Sequence, residues 1–238
     1  GRTRNKIERL QAENDKLRLS LQNRKNADAL LKQLKGVLDL AGTAGYKVVG
    51  AKVISQGSTT SFTQSISIDV GSNSGVRSNM TVLSSYGIVG VVKYVYPNSA
   101  LVQLASDPAF RIGARIAGSQ QIGILSGQGT RRGVLQLLDN RTQIKKGDVL
   151  LARGSQGGRP FVPGVPIGSV TDVDNSPGAV TQTADVKFYT NFSTLGVVAV
   201  VVSGEGSDPR DALVPPKPIP TPIPTVTVFV TPSPSPTN

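Results

Sequence analysis

Apolar residues recur at two different spacings along this chain, and the change from one to the other divides it. Ile7, Leu10, Asn14, Leu17 and Leu21 follow the 3-4-3-4 spacing of a coiled-coil seam, and no Pro or Gly interrupts before Gly36. Asn14 holds a seam position, where a buried amide favours one register and a two-stranded state. Arg24 and Asp28 take the next seam positions, and the stripe resumes out of phase at Ala27, Leu30, Leu31, Leu34 and Leu38. The spacing predicts a helix over 1–41, stopped by Gly42 and Gly45. Such a helix either packs its stripe on its own domain or pairs through the seam with a second copy. The charged flanks favour the pair, a homodimer that could grow into a higher assembly.

From residue 46 the period falls to two. "YKVVGAKVIS" and "SFTQSISIDVG" alternate apolar with polar positions, and about ten further short strands follow as far as "TLGVVAVVVSG". Turn signals every 8–12 residues are the mark of sandwiches and barrels. Frequent glycines suit the bulges and corners that small closed barrels need. Residues 204–238, ending in "PPKPIPTPIPTVTVFVTPSPSPTN", read as a disordered Pro/Thr/Ser spacer that cannot pack a core.

The strand region repeats itself. "GVRSNMTVLSSYGIVGVV" (75–92) is echoed by "QIKKGDVLLARGSQGGRPFVPGVPIGSV" (143–170). Each has a turn-like pair (Asn79-Met80, Gly147-Asp148), a strand, a Gly-centred turn and then G-x-V-x-x-V: Gly90, Val92, Val95 and Gly168, Val170, Val173. A-x-x-Q-x-A also occurs twice, as Ala100, Gln103, Ala105 and as Ala179, Gln182, Ala184. Two similar six-stranded barrels explain the echo, since closure removes exposed sheet edges. The fold expected is mainly β: a coiled-coil helix (1–41), a first β-barrel (46–138), a second (139–203) and a disordered tail (204–238). The 46–138 boundary allows for strands exchanged between barrels. The second copy carries a Gly/Pro-rich insertion, "ARGSQGGRPFVP", that reads as a surface loop.

Composition narrows the chemistry. The chain has no Cys and no His, which rules out disulfides, Cys/His zinc sites and histidine-based nucleophile systems. Ser155 in "RGSQGG" superficially resembles a nucleophile loop, but no recognisable base accompanies it. Asp172 and Asp174 share a strand face without further ligands around them, so a solvated edge is expected there and no metal. No catalytic residue and no cofactor is expected. The net charge of +11 points to anionic partners. It is spread out and not interleaved with aromatics, so nucleic acid is not expected. Arg131, Arg132, Arg141, Lys145 and Lys146 form a candidate polyanion patch, for wall polymers or lipid head groups; ordinary solvated turns are the plainer account. Arg159 and Phe161 in the insertion, with Tyr94 and Tyr96 in the first barrel, are candidate protein contacts, because Arg and aromatics anchor interfaces. No run of about 18 apolar residues occurs. The chain opens inside a charged helical pattern, so a membrane anchor ahead of residue 1 is expected.

At "DVGSNSGVRSNMTVLSSYGIVGVVKYV" and "KKGDVLLARGSQGGRPFVPGVPIGSVTDV" the sequence resembles the MreC family of rod shape-determining proteins. Gly71, Gly75, Val76, Met80, Val82, Gly87, Val89, Gly90 and Val92 match its first pattern; Gly147, Asp148, Phe161, Gly164, Gly168 and Val170 match its second. The chain departs from it at Val162, between Phe161 and Pro163, and at Ala152-Arg153-Gly154. The resemblance implies a non-enzymatic scaffold of the bacterial cell-elongation machinery. It also implies two barrels on the extracytoplasmic face of the membrane, a single-pass anchor, and penicillin-binding proteins, MreD and the MreB system as partners. Two other readings share parts of the pattern. One is a coiled-coil/β-barrel adaptor of an envelope transport assembly, though such adaptors usually insert their helices within the barrel sequence. The other is an inactive protease-like binding module.

Overall fold

The computed structural model describes residues 2–57, 64–119, 121–137, 144–174, 181–204 and 209–216. Helix α1 (Arg2–Ala44) comes first and runs three residues past the expected end. It stops at Gly45, whose φ is +72°. There the Tyr46 amide donates to the Ala41 carbonyl (2.9 Å) and the Gly45 amide to that of Gly42 (3.1 Å). This left-handed closing turn satisfies two orphan carbonyls and brings the buried Tyr46 against the buried Ala41.

Twelve strands follow: β1 (Lys47–Gln56), β2 (Ser65–Ile68), β3 (Thr81–Ser84), β4 (Gly87–Val95), β5 (Ala100–Leu104), β6 (Arg111–Ile116), β7 (Ile122–Gly127), β8 (Arg132–Leu137), β9 (Val149–Ala152), β10 (Pro166–Asp174), β11 (Thr183–Phe188) and β12 (Val197–Ser203). They close into two six-stranded antiparallel barrels, ordered β1-β12-β3-β4-β5-β2 and β10-β11-β8-β7-β6-β9. The boundary expected at 138/139 is therefore not where the chain changes barrel. The chain leaves the first barrel after β5, builds the whole second barrel with β6 to β11, and returns with β12. That last strand pairs with β1 from Lys47↔Ser203 to Lys52↔Val197 and with β3 at Leu83 and Val82. Without it, β1 and β3 would each present an unpaired edge.

The repeat is real, and it is offset by one strand. β7 to β11 have the neighbours of β1 to β5, while β6 occupies in the second barrel the slot that β12 fills in the first. Both turn-like pairs do the same work. The Asn79 amide donates to the Val92 carbonyl (2.8 Å) and the Val92 amide to that of Met80 (2.9 Å); Gly147, Val170 and Asp148 repeat this at 2.8 and 2.9 Å. Asn79 and Gly147 have φ of +58° and +91°, which Asn and Gly tolerate best. Gly90 lies opposite Leu104 and Gly168 opposite Phe188, Val92 opposite Val102 and Val170 opposite Val186. The A-x-x-Q-x-A echo does not survive. Ala184 pairs with Val173 as Ala100 pairs with Val95, so its counterpart is Ala100 and not Ala105. Ala179 lies outside the described residues.

The two barrel cores merge into one hydrophobic cluster. Strand β3 is buried at all four positions, because its outer face is covered as well as its inner one. The Thr81 hydroxyl donates to the Pro160 carbonyl (2.8 Å) and accepts from the Val162 amide (3.0 Å). Thr190 Oγ1 donates to the Ile88 carbonyl (2.7 Å) and lies 3.0 Å from Ser84 Oγ. Buried Asp107, in the β5–β6 connection, accepts from the amides of Gln64 (2.5 Å) and Ala109 (2.7 Å) and from the Gln103 side chain (3.2 Å). Every bond of that carboxylate holds the crossing between barrels. The helix root joins the same body. Val37 and Ala41 are buried, and Gln33 Oε1 accepts from the amides of Gly196 (3.1 Å) and Val197 (2.9 Å) at the start of β12.

Two outcomes follow from this packing. A Cβ at Gly168 would sit 2.2 Å from the Lys187 carbonyl oxygen, and one at Gly90 1.9 Å from that of Gln103. Either Gly→Ala change forces a ladder apart and should cost at least ~3 kcal/mol, the upper end for overpacking, read as a lowered denaturant midpoint. A chain ended at residue 196 lacks β12. It should bind a hydrophobic dye and lose exchange protection in β1 and β3, while a chain ended at 204 keeps both barrels closed.

Candidate interaction surfaces

The helix seam is exposed in the single chain. Ile7, Leu10, Leu17 and Leu21 are each between 51% and 58% accessible, and Asn14 is exposed with them. Only the later stripe reaches the barrel. Leu34 lies beside Gly50 and Leu30 beside Gly196. Within that stripe Ala27, Leu31 and Leu38 stay exposed, so the docked face of the helix is the one carrying Leu30, Leu34, Val37 and Ala41.

Of the four candidate protein contacts, Tyr94 and Tyr96 are exposed at 64% and 57% on the outer side of the first barrel. Arg159 is exposed too. Phe161 is not a surface residue. It is buried in the shared core and meets Phe110 edge-on, with ring centroids 5.4 Å apart and planes at 74°. The insertion that carries it (residues 152–163) is only partly a surface loop, since it folds back between the barrels. The Tyr46 hydroxyl donates to the Pro163 carbonyl there, tying the loop to the foot of the helix.

The four of the five basic residues that the structure describes do not form one patch. Arg131 spends its Nη2 on the carbonyls of Phe188 (3.2 Å) and Tyr189 (3.0 Å), so it serves the barrel wall. Arg132 lies across from Lys187. Both line a cleft of about 1150 Å³ between the barrels, together with Gln64, Asp172 and Asp185. Lys145 and Lys146 are exposed on the turn before β9, which two intervening strands separate from β8 in either direction around the barrel. There the Lys145 amide donates to Asp148 Oδ2 (2.8 Å). Arg141 lies outside the described residues.

Ser155 is half-buried, and its amide donates to the Phe161 carbonyl (2.8 Å), which makes it a loop-shaping residue. Among the described residues, no group of three acidic side chains could hold a metal ion. No helix of the described residues is long and apolar enough to cross a membrane.

One surface escaped the sequence reading. Residues 209–216, expected to be part of a disordered spacer, fold against the second barrel. Asp211 Oδ1 accepts from Arg115 Nη1 (2.6 Å) and its Oδ2 from the Gly118 amide (2.8 Å). The hydrogen-bonded Arg115 guanidinium holds this carboxyl below its ordinary range. Leu213 packs on the edge of the core. The only sequence signal was the apolar triplet Ala212-Leu213-Val214 between an acid and two prolines.

A family model described as rod shape-determining protein MreC, barrel core, matches residues 53–202. The cell shape-determining protein MreC of Listeria monocytogenes is 31% identical over 71% of this chain and 59% of its own length. The chain therefore spans about six-tenths of that relative. A solved structure named MreC superposes with a TM-score of 0.65 at 28% identity, covering 74% of this chain and 98% of that one. A structure described as a complex between Penicillin-Binding Protein (PBP2) and MreC from Helicobacter pylori shares the fold (TM-score 0.52, 18% identity, 66% of this chain and 99% of that one). Two barrels on a helical stalk, the first closed by the returning last strand, and both matched by that family model, place this chain in the MreC family.

Proposed function

We propose that this chain is the extracytoplasmic part of a non-enzymatic scaffold that controls cell shape by holding peptidoglycan-synthesis proteins together. Membership of the MreC family carries this reading. The geometry supports it, because the accessible features among the described residues are a seam, exposed aromatics and a cleft bordered by charges of both signs. The Helicobacter pylori relative is described in complex with a penicillin-binding protein, and the same class of partner is proposed here. MreD and the MreB system are proposed as further partners, and a single-pass anchor ahead of the helix as the tether to the membrane.

The seam residues Ile7, Leu10, Asn14, Leu17 and Leu21 are proposed to pair two chains in parallel. Burying a leucine is worth ~2 kcal/mol. Leu17→Ser removes two such side chains per dimer and should weaken dimerisation roughly a thousandfold. Sedimentation equilibrium reads this directly, and an unchanged dimer constant would remove the seam from the account. Asn14→Ile should tighten association but let trimers or tetramers appear, because the buried amide no longer selects two strands.

Tyr94 and Tyr96 are the proposed partner anchors on the first barrel, and Arg159 on the second. Photo-crosslinkers at 94 and 159 in the membrane-anchored protein should capture peptidoglycan synthases of the penicillin-binding class. Capture of an export channel instead would favour the transport-adaptor reading.

A further inference from the structure

The docked arm at 209–216 exposes a site that the scaffold reading does not use. Arg115 projects from β6, and its side chain is only 12% accessible. Its guanidinium carries five donors in a planar fork, built to take a carboxylate with two nitrogens at once. Asp211 engages only Nη1 of Arg115 and turns its second oxygen to the Gly118 amide. Arg115 Nη2 is buried behind this contact and has no hydrogen-bond partner among the described residues. A buried donor left unpaired gives up its solvation with nothing in return. Arg153 and Arg210 line the same notch, which has a volume of about 500 Å³ and is also bordered by Ser119 and Ile122. Three arginines thus line one notch with the carboxylate of Asp211, itself 44% accessible.

We propose that this notch, formed by Arg115, Arg153 and the Gly118 amide, is a carboxylate-recognition site, occupied here by the chain's own Asp211 and open to exchange with an acidic side chain of a partner peptide. The resident carboxylate identifies the ligand class. The unpaired Nη2 explains why the resident is replaceable: a carboxylate that spans both terminal nitrogens satisfies a donor that Asp211 leaves empty. Exchange frees the arm, and with it the point at which the Pro/Thr/Ser extension leaves the second barrel.

The test uses the full chain, its Asp211→Asn variant and an Arg115→Gln variant, by hydrogen–deuterium exchange and calorimetric titration. In Asp211→Asn, exchange at 209–216 should accelerate at least tenfold while β6 to β11 keep their protection. The probe is a blocked Asp-Ala-Leu-Val peptide, with its Asn counterpart and inorganic phosphate as comparisons. Asp211→Asn should bind the acidic probe at least tenfold more tightly than the unaltered chain, since an occupied site lowers apparent affinity by its free fraction. Arg115→Gln should bind none of the three. An arm as protected in Asp211→Asn as in the parent, or equal binding of the acidic and Asn peptides, overturns the proposal. Phosphate binding without peptide binding also overturns it, by making the notch a site for phosphate-type anions.

Discussion

The antiparallel pairing of β1 with β12 is the constraint on which the rest depends. It joins the first strand of the chain to the last, across the entire second barrel. Six residue pairs along it close the first barrel, and closure is what lets so small a sheet keep every ladder bond without an edge. The same pairing seats the helix, because Gln33 holds the two amides at the start of β12 while Val37 and Ala41 bury against the barrel. Stalk, first barrel and last strand therefore form one structural unit, and the second barrel is a loop of that unit that happens to be a barrel itself.

The second barrel is kept in place by more than its two connections. Thr81, Thr190 and Asp107 each spend their polar atoms on backbone groups across or along the junction. Phe161 and Phe110 fill the space between. Polar bonds set orientation and the shared apolar cluster makes it costly to change, since a buried donor or acceptor left unpaired loses its full solvation. A rigid pair of barrels suits a scaffold, which must keep the surfaces it offers at fixed distances. Those surfaces are dispersed: the seam on the stalk, the tyrosines on the first barrel, the cleft between barrels, the notch on the second.

Local signals were legible in the sequence, and for identifiable reasons. Asn79 and Gly147 stand where the backbone turns left-handed, and Gly90 and Gly168 where another strand's carbonyl leaves no room for a Cβ. Such demands restrict the residue type, so they recur visibly when the unit is duplicated. The A-x-x-Q-x-A echo answers to no such demand, and its two copies fall at different registers. Phe161 looked like an interface anchor because a Gly/Pro-rich segment resembles an exposed loop. Nothing local says that such a segment folds back into a junction. Asp211 was hidden for the converse reason, a short docked arm inside a composition typical of disorder.

The sequence by itself determined the helix and the phase break in its stripe, the number and kind of strands, the duplication, and the absence of any histidine- or cysteine-based chemistry. These depend on neighbours a few residues apart, where side-chain size and backbone sterics act directly. Only the tertiary structure decided which barrel each strand joins, that β12 returns to close the first, that Arg131 bonds to the barrel wall in the cleft it shares with Arg132, and that Arg115 holds Asp211. Those outcomes are set by contacts between residues far apart in the chain, such as Lys47 with Ser203 and Gln33 with Val197. Alternating patterns state which face of a strand is buried, but leave every strand equally able to pair with any other.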